Sequence, residues 1–175
     1  MTKIPRCPRP QSEIVVGIVG SEATKFISET EKEAKAIIRK LLMRPGVIGV
    51  SSGHCHLGGV DIWAEEIGKE LGLCLYIFPP ATRSWETGYK PRNLQIVEAS
   101  TEVHCITVRE LPTSYVGMRF NGCYHCRTKD HVKSGGCWTA KQARQQGKKG
   151  ECHILPVQKE KQLTIEEVYG TIEIK

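Results

Sequence analysis

Cys123-x2-Cys126-x4-His131-x5-Cys137 sets thiol and imidazole donors at metal-ligand spacing. Zinc takes four tetrahedral ligands of these types, and Cys-x2-Cys offers two from one tight turn. The surrounding segment is short and polar, flanked by Gly122 and by Gly135-Gly136, with few apolar residues to fold around. A bound metal supplies the ordering energy that such a segment lacks. Zinc is the expected cofactor, held by Cys123, Cys126, His131 and Cys137, with His125 as a substitute for Cys137. The alternative is a loop with free thiols.

A second chemistry is suggested by glycines. From Val50 to Gly72 an apolar run feeds a loop with Gly53, Gly58 and Gly59, and a helical pattern opens near Val60. Glycine lets a backbone approach a ligand closely, and a helix start offers unpaired N–H groups with partial positive charge. Strand, glycine loop and helix start together suit a phosphate. Gly20-Ser21 and Gly135-Gly136 read as two further bends of this kind. Arg92 is the expected charged partner, since its planar fork matches phosphate oxygens. Asp61 reads as an orienting group or helix cap, and Trp85 and Tyr89 as rings on which a base can stack. Trp63, on a helix face, reads as core. His54-Cys55-His56 reads either as pocket lining or as ordinary loop, and Cys152-His153, at a strand start, as structural.

Composition limits the classes. The 175 residues suggest one domain, and 39% hydrophobic with 25% charged residues is ordinary for a globule. No apolar run approaches the ~20 residues that span a bilayer. The leader, residues 1–12, carries charge and three prolines but no apolar h-region, so it does not read as a secretory signal. A cytoplasmic protein without membrane attachment is expected. In a reducing compartment the eight cysteines point to metal binding or burial rather than disulfides. Cys74 and Cys105, inside apolar runs, read as buried. A net charge of +6 suits an anionic ligand, but aromatics at 6% are sparse for a single-strand platform.

Strands and helices alternate along the chain. Ile14–Gly20 reads as a buried strand. A helix follows from Thr24 to Arg44, with Thr30 and Glu33 as a capping box that would start it later. Val47–Ser51 and Leu73–Phe78 read as strands around a helix from Val60 to Leu71. A loop over 81–91, a short helix from Arg92 to Ala99 and a strand from Val103 to Val108 come next. After the metal segment, a helix from Thr139 to Gln146 and a strand from Glu151 to Val157 close the pattern. The tail, 158–175, is charged and then β-prone, suiting an edge strand. This alternation predicts an α/β, Rossmann-like three-layer fold with a mostly parallel sheet and a small Cys/His metal-binding insert at 110–137. Ligands bind beyond the carboxyl ends of such strands, and the three bends are expected to converge there.

The residues from 14 to 157 resemble the SLOG superfamily of Rossmann-like proteins, which includes the LOG phosphoribohydrolases and DprA. The resemblance rests on Gly17-Ile18-Val19-Gly20-Ser21, on Ser52-Gly53 through Gly59-Val60-Asp61 with Ala64, on Arg92-Asn93 with Ile96-Val97, and on Ser134-Gly135-Gly136 with Thr139-Ala140. It implies that Gly20, Ser21, Ser52, Gly53, Gly58, Gly59, Asp61, Arg92, Gly135, Gly136 and Thr139 bind a nucleotide-like small molecule, as sensor or carrier, in a homo-oligomer. A LOG-type glutamate has no counterpart, because Gly135-Gly136-Cys137-Trp138-Thr139 carries Trp138 for a glycine and no carboxylate follows. Cleaving an N-glycosidic bond needs a carboxylate to stabilise the cationic sugar. Glu98 or Asp61 are the catalytic candidates under that alternative. The Thr139-Ala140-Lys141 run with Gly147-Lys148 is similar to DprA and leaves nucleic acid as a third partner class.

Overall fold

A computed structural model of the chain describes residues 13–156. The leader and the tail, with its expected edge strand, lie outside the described residues. Five strands form one sheet: β1 (Ile14–Gly20), β2 (Val47–Ser52), β3 (Cys74–Ile77), β4 (Glu102–Val108) and β5 (Lys149–Leu155). Every paired strand runs parallel, in the order β3-β2-β1-β4-β5. Parallel strands covered on both faces need apolar residues on both, which is why Ile14–Gly20 reads as an unbroken run; β4 is mostly apolar but buries His104 and Thr107.

Helices α1 (Ser28–Leu42) and α2 (Val60–Glu70) pack together on one face. Ile38, Leu42, Trp63 and Ile67 meet Val16, Val50, Ile106 and Val108 there. Trp63 lies edge-on to Phe26, ring centroids 5.0 Å apart, and is core as expected. Helices α3 (Lys90–Ala99) and α4 (Gly135–Gln145) cover the other face, where Ile96, Val97, Ala140 and Ala143 meet Val19, Val103 and Cys105. The molecule is thus a three-layer α/β fold with its insert between β4 and α4. The order places the topological switch between β1 and β4, which feed connections in opposite directions.

Several features differ from expectation. Helix α1 begins at Ser28, because Ala23–Lys25 forms a separate 3-10 turn and Phe26 is extended. Thr30 bonds the backbone N–H of Ile27 at 3.0 Å from inside the first turn, so it is not the first capping residue. Trp85–Tyr89, expected as loop, is a π-helical turn running into α3. Cys74 is exposed, since β3 is an edge strand. Most consequential, Gly135 and Gly136 are not a turn but the first two residues of α4, with Ser134 as N-cap accepting from Gly136 N at 3.1 Å. The insert therefore ends at Ser134. Among the described residues no helix is long and apolar enough to cross a membrane.

Candidate functional site

Beyond the carboxyl end of β1 the backbone is crowded at Gly20 and Ser21. A Cβ on Gly136 would lie 3.0 Å from Gly20 N and 2.8 Å from Cys105 Sγ, so α4 starts flush against β1. A Cβ on Gly59 would lie 2.5 Å from Ser21 O, and Gly59 has φ of 90°, which favours glycine. Val60 N donates to Ser21 O at 3.2 Å, tying the start of α2 to the same bend. The Gly20-Ser21 bend, the Gly58-Gly59 bend and the start of α4 thus meet, with Gly20-Ser21 at their centre.

A cavity of about 260 Å³ opens beside that meeting point. Gly20, Ser21, Asp61, Arg92, Gly135 and Gly136 line it, as do Glu22, Lys25, Asn93, Lys133 and Ser134. The N-terminus of α4 faces it, which favours negative charge. Arg92 is buried; Nη1 donates to Gly53 O, and to Asp61 Oδ2 at 3.1 Å. Its Nε is buried with no hydrogen-bond partner. Burial pushes the Asp61 carboxyl up to about 6 despite the attraction of Arg92. Burial likewise pushes Lys25 below the usual lysine range, against the pull of Glu22.

The other expected residues stand elsewhere. Ser52 is buried and donates to Asp61 O at 3.0 Å, while the site of a Gly53 Cβ is taken by the Arg92 guanidinium. Gly58 and Gly59 turn the chain against Ala23 and shape the bend from behind. Thr139 is buried within α4, its hydroxyl donating to Gly135 O at 3.1 Å. Glu98 is exposed and outside the cavity lining, because α3 turns Arg92, Asn93, Ile96 and Val97 inward. Of His54-Cys55-His56, Cys55 lines the cavity, whereas His54 pairs with Glu65 at 2.8 Å on the surface. Sequence reasoning missed Glu22, Lys25 and Lys133, which carry no motif and reach the cavity only through the topology.

Next to the cavity lies a cleft of about 410 Å³ lined by Trp85, Tyr124, His125, Lys133 and Trp138. Trp85 and Lys133 belong to both hollows. Trp85 and Trp138 meet edge to face at 5.2 Å, and Lys133 sits 4.9 Å from the centre of the Phe120 ring. Tyr89, by contrast, lies under the Arg92 guanidinium, 5.4 Å from centroid to Cζ.

The insert forms the far wall. Cys123, Cys126, His131 and Cys137 bring their donor atoms within 4.8 Å of one another, a set that could hold a metal ion. Cys123 and Thr128 exchange backbone bonds of 2.8 and 3.2 Å around the Cys-x2-Cys turn. Arg127 takes φ of 56°, and a Cβ on Gly122 would strike Thr128 O at 2.4 Å. Asp130 holds Nδ1 of His131, leaving Nε2 aimed at the cluster, 3.5 Å from Cys137 Sγ. A carboxylate behind a ligand imidazole is a common outer contact of metal sites. His125 stands outside the set, its ring 4.3 Å from that of Tyr124. Burial pushes the Cys126 thiol up to about 11, and the neighbouring thiols of Cys105 and Cys152 push Cys137 up as well. A metal reverses both, since it binds the thiolate.

Comparison with protein-family models, curated proteins and solved structures finds no match to this chain.

Proposed function

We propose that this protein binds a nucleotide or nucleotide-derived ligand, as sensor or carrier, and that its insert holds a structural zinc ion. The phosphate occupies the cavity where α4 begins beside Gly20 and Ser21. The base lies in the adjoining cleft against Trp85 and Trp138. The observation that carries this reading is Arg92: a buried guanidinium at the switch point that lines the cavity together with the N-terminus of α4. An anion there meets the guanidinium, Lys25, Lys133 and the helix start at once. The SLOG resemblance points to the same ligand class.

Binding is favoured over hydrolysis by the state of the carboxylates. Asp61 is tied to Arg92, and Glu22 already accepts from Thr24 at 3.1 Å and Tyr115 at 3.3 Å. Glu98 is remote. Zinc is favoured by the three thiols and one imidazole, the ligand types it prefers in structural sites.

Calorimetry with a panel of nucleoside monophosphates and inorganic phosphate tests the first part. Arg92→Ala is expected to weaken nucleotide binding by tenfold or more, with folding checked by circular dichroism. Equal affinity in a folded variant would overturn the reading. Metal analysis tests the second: one zinc per chain is expected, lost in Cys123→Ser with Cys126→Ser.

A further inference from the structure

The strand pair β4 and β5 presents thiols on one face and imidazoles on the other. Cys105 is in register with Cys152, and their side chains join the α4 face. The alternate residues His104, Glu151 and His153 point to the α1 face. Their donor atoms lie within 4.8 Å of one another. None of them belongs to the cavity or the insert.

The protonation of this group follows from its outer partners. Arg44 binds Glu102, and Glu102 Oε1 lies 3.0 Å from His104 Nε2. The Glu102 carboxylate is thus held between a guanidinium and an imidazole. An ionised carboxylate only accepts, so His104 carries its proton on Nε2. Its Nδ1 is then a lone pair, inside a ring that is 0% exposed. That lone pair faces His153 Nε2 at 2.9 Å and Glu151 Oε2 at 3.8 Å. Glu151 shares Oε2 with Lys149 at 3.2 Å, which leaves its other oxygen free of that bond.

We propose that His104 Nδ1, His153 Nε2 and a Glu151 carboxylate oxygen bind a divalent transition metal ion of the zinc, cobalt or nickel class. Two imidazoles and a carboxylate suit these ions, and three protein ligands leave a position for water. Glu102 orients His104 from behind, as Asp130 does His131 in the insert. Without metal, His153 donates its Nε2–H to His104; with metal, that proton moves to Nδ1 of His153 and the two lone pairs converge. The parallel register prepares the site, so it does not depend on the insert being loaded. Glu151 is exposed and His153 half-buried, which gives an ion a way in.

Cobalt(II) chloride titrated into full-length protein already holding zinc tests this. A second metal equivalent is expected, with weak visible bands and none of the intense thiolate charge transfer that cobalt shows at a cysteine site. His153→Ala is expected to abolish that equivalent and Glu151→Gln to weaken it at least tenfold. Glu151→Gln alters an exposed side chain, so it keeps the test valid if His153→Ala folds poorly. Absence of a second equivalent, or binding within twofold of wild type in a folded Glu151→Gln variant, would show a hydrogen-bonded imidazole pair and no metal site.

Discussion

Burying a guanidinium beside a carboxylate removes hydration worth several kcal/mol per ion unless new bonds replace it. At Arg92 the replacement is incomplete, because Nε is left without a partner. The same imbalance appears at Asp61, whose carboxyl burial pushes up to about 6 from 3.8. A raised carboxyl titrates with a definite sign. The folded state holds the proton more tightly than the unfolded chain, so the stabilisation is present below 3.8 and is lost as pH rises through about 6. The difference amounts to about 2–3 kcal/mol between pH 4 and pH 7. Urea unfolding at both values should therefore show wild type losing that much relative to Asp61→Asn on going to pH 7. Parallel profiles for the two proteins would mean that folding leaves the Asp61 carboxyl at its ordinary value.

Among the elements, the start of α4 does the most positioning, and paired alanine substitutions read it. A Cβ at Gly135 meets nothing within 4 Å, whereas one at Gly136 presses on Cys105 and the β1 backbone. Gly136→Ala should destabilise by about 1–3 kcal/mol through overpacking and Gly135→Ala by nothing or less than nothing. Equal melting temperatures would refute the close seating of α4. The insert makes a different prediction. Cys137 lies in the first turn of α4 while Cys123, Cys126 and His131 lie in the insert, so one ion would staple the two together. Chelation should leave the sheet's far-ultraviolet dichroism intact, open Arg127, Lys129 and Lys133 to trypsin, and weaken nucleotide binding. An unchanged digestion pattern would exclude a structural metal.

These two elements also show what was legible in the chain. The cysteine spacing was, because a Cys-x2-Cys turn is local and its ligands lie close in sequence. The start of α4 was not: Gly-Gly signals a turn, and only Ser134 as N-cap, with packing on Gly20, makes it helical. The strands were legible as apolar runs, β3 included, but the expected burial of Cys74 was not met, because an edge position exposes Cys74, Leu75 and Tyr76. Arg92 could be picked out by type, and Glu98, a catalytic candidate only under the hydrolytic alternative, is the exposed helical glutamate that its residue type suggests. Glu22, Lys25 and Lys133 are ordinary residues locally. Only the crossing from β1 to β4 gives them a common address.

At the scale of the whole molecule the question is how its positive charge of +6 is used. The β3 edge exposes Leu75 and Tyr76, and sedimentation velocity reads whether the protein self-associates. The charge itself separates a small ligand from nucleic acid. Lys25, Arg92 and Lys133 converge on one cavity, next to one helix start, rather than following a strand-length track. Arg127, Lys141 and Arg144 line a further hollow that meets the cleft at His125. Convergent cations contact one phosphate group, so few counterions are released when it binds. Each phosphate neutralised along a single strand adds about 0.7 to the slope of log affinity against log salt. A mononucleotide ligand should therefore lose about tenfold or less in affinity over a tenfold rise in salt. An oligonucleotide should bind no more tightly than its terminal nucleotide. If instead affinity climbs with oligonucleotide length and the salt slope climbs with it, the hollows form one continuous track, and the ligand is a strand.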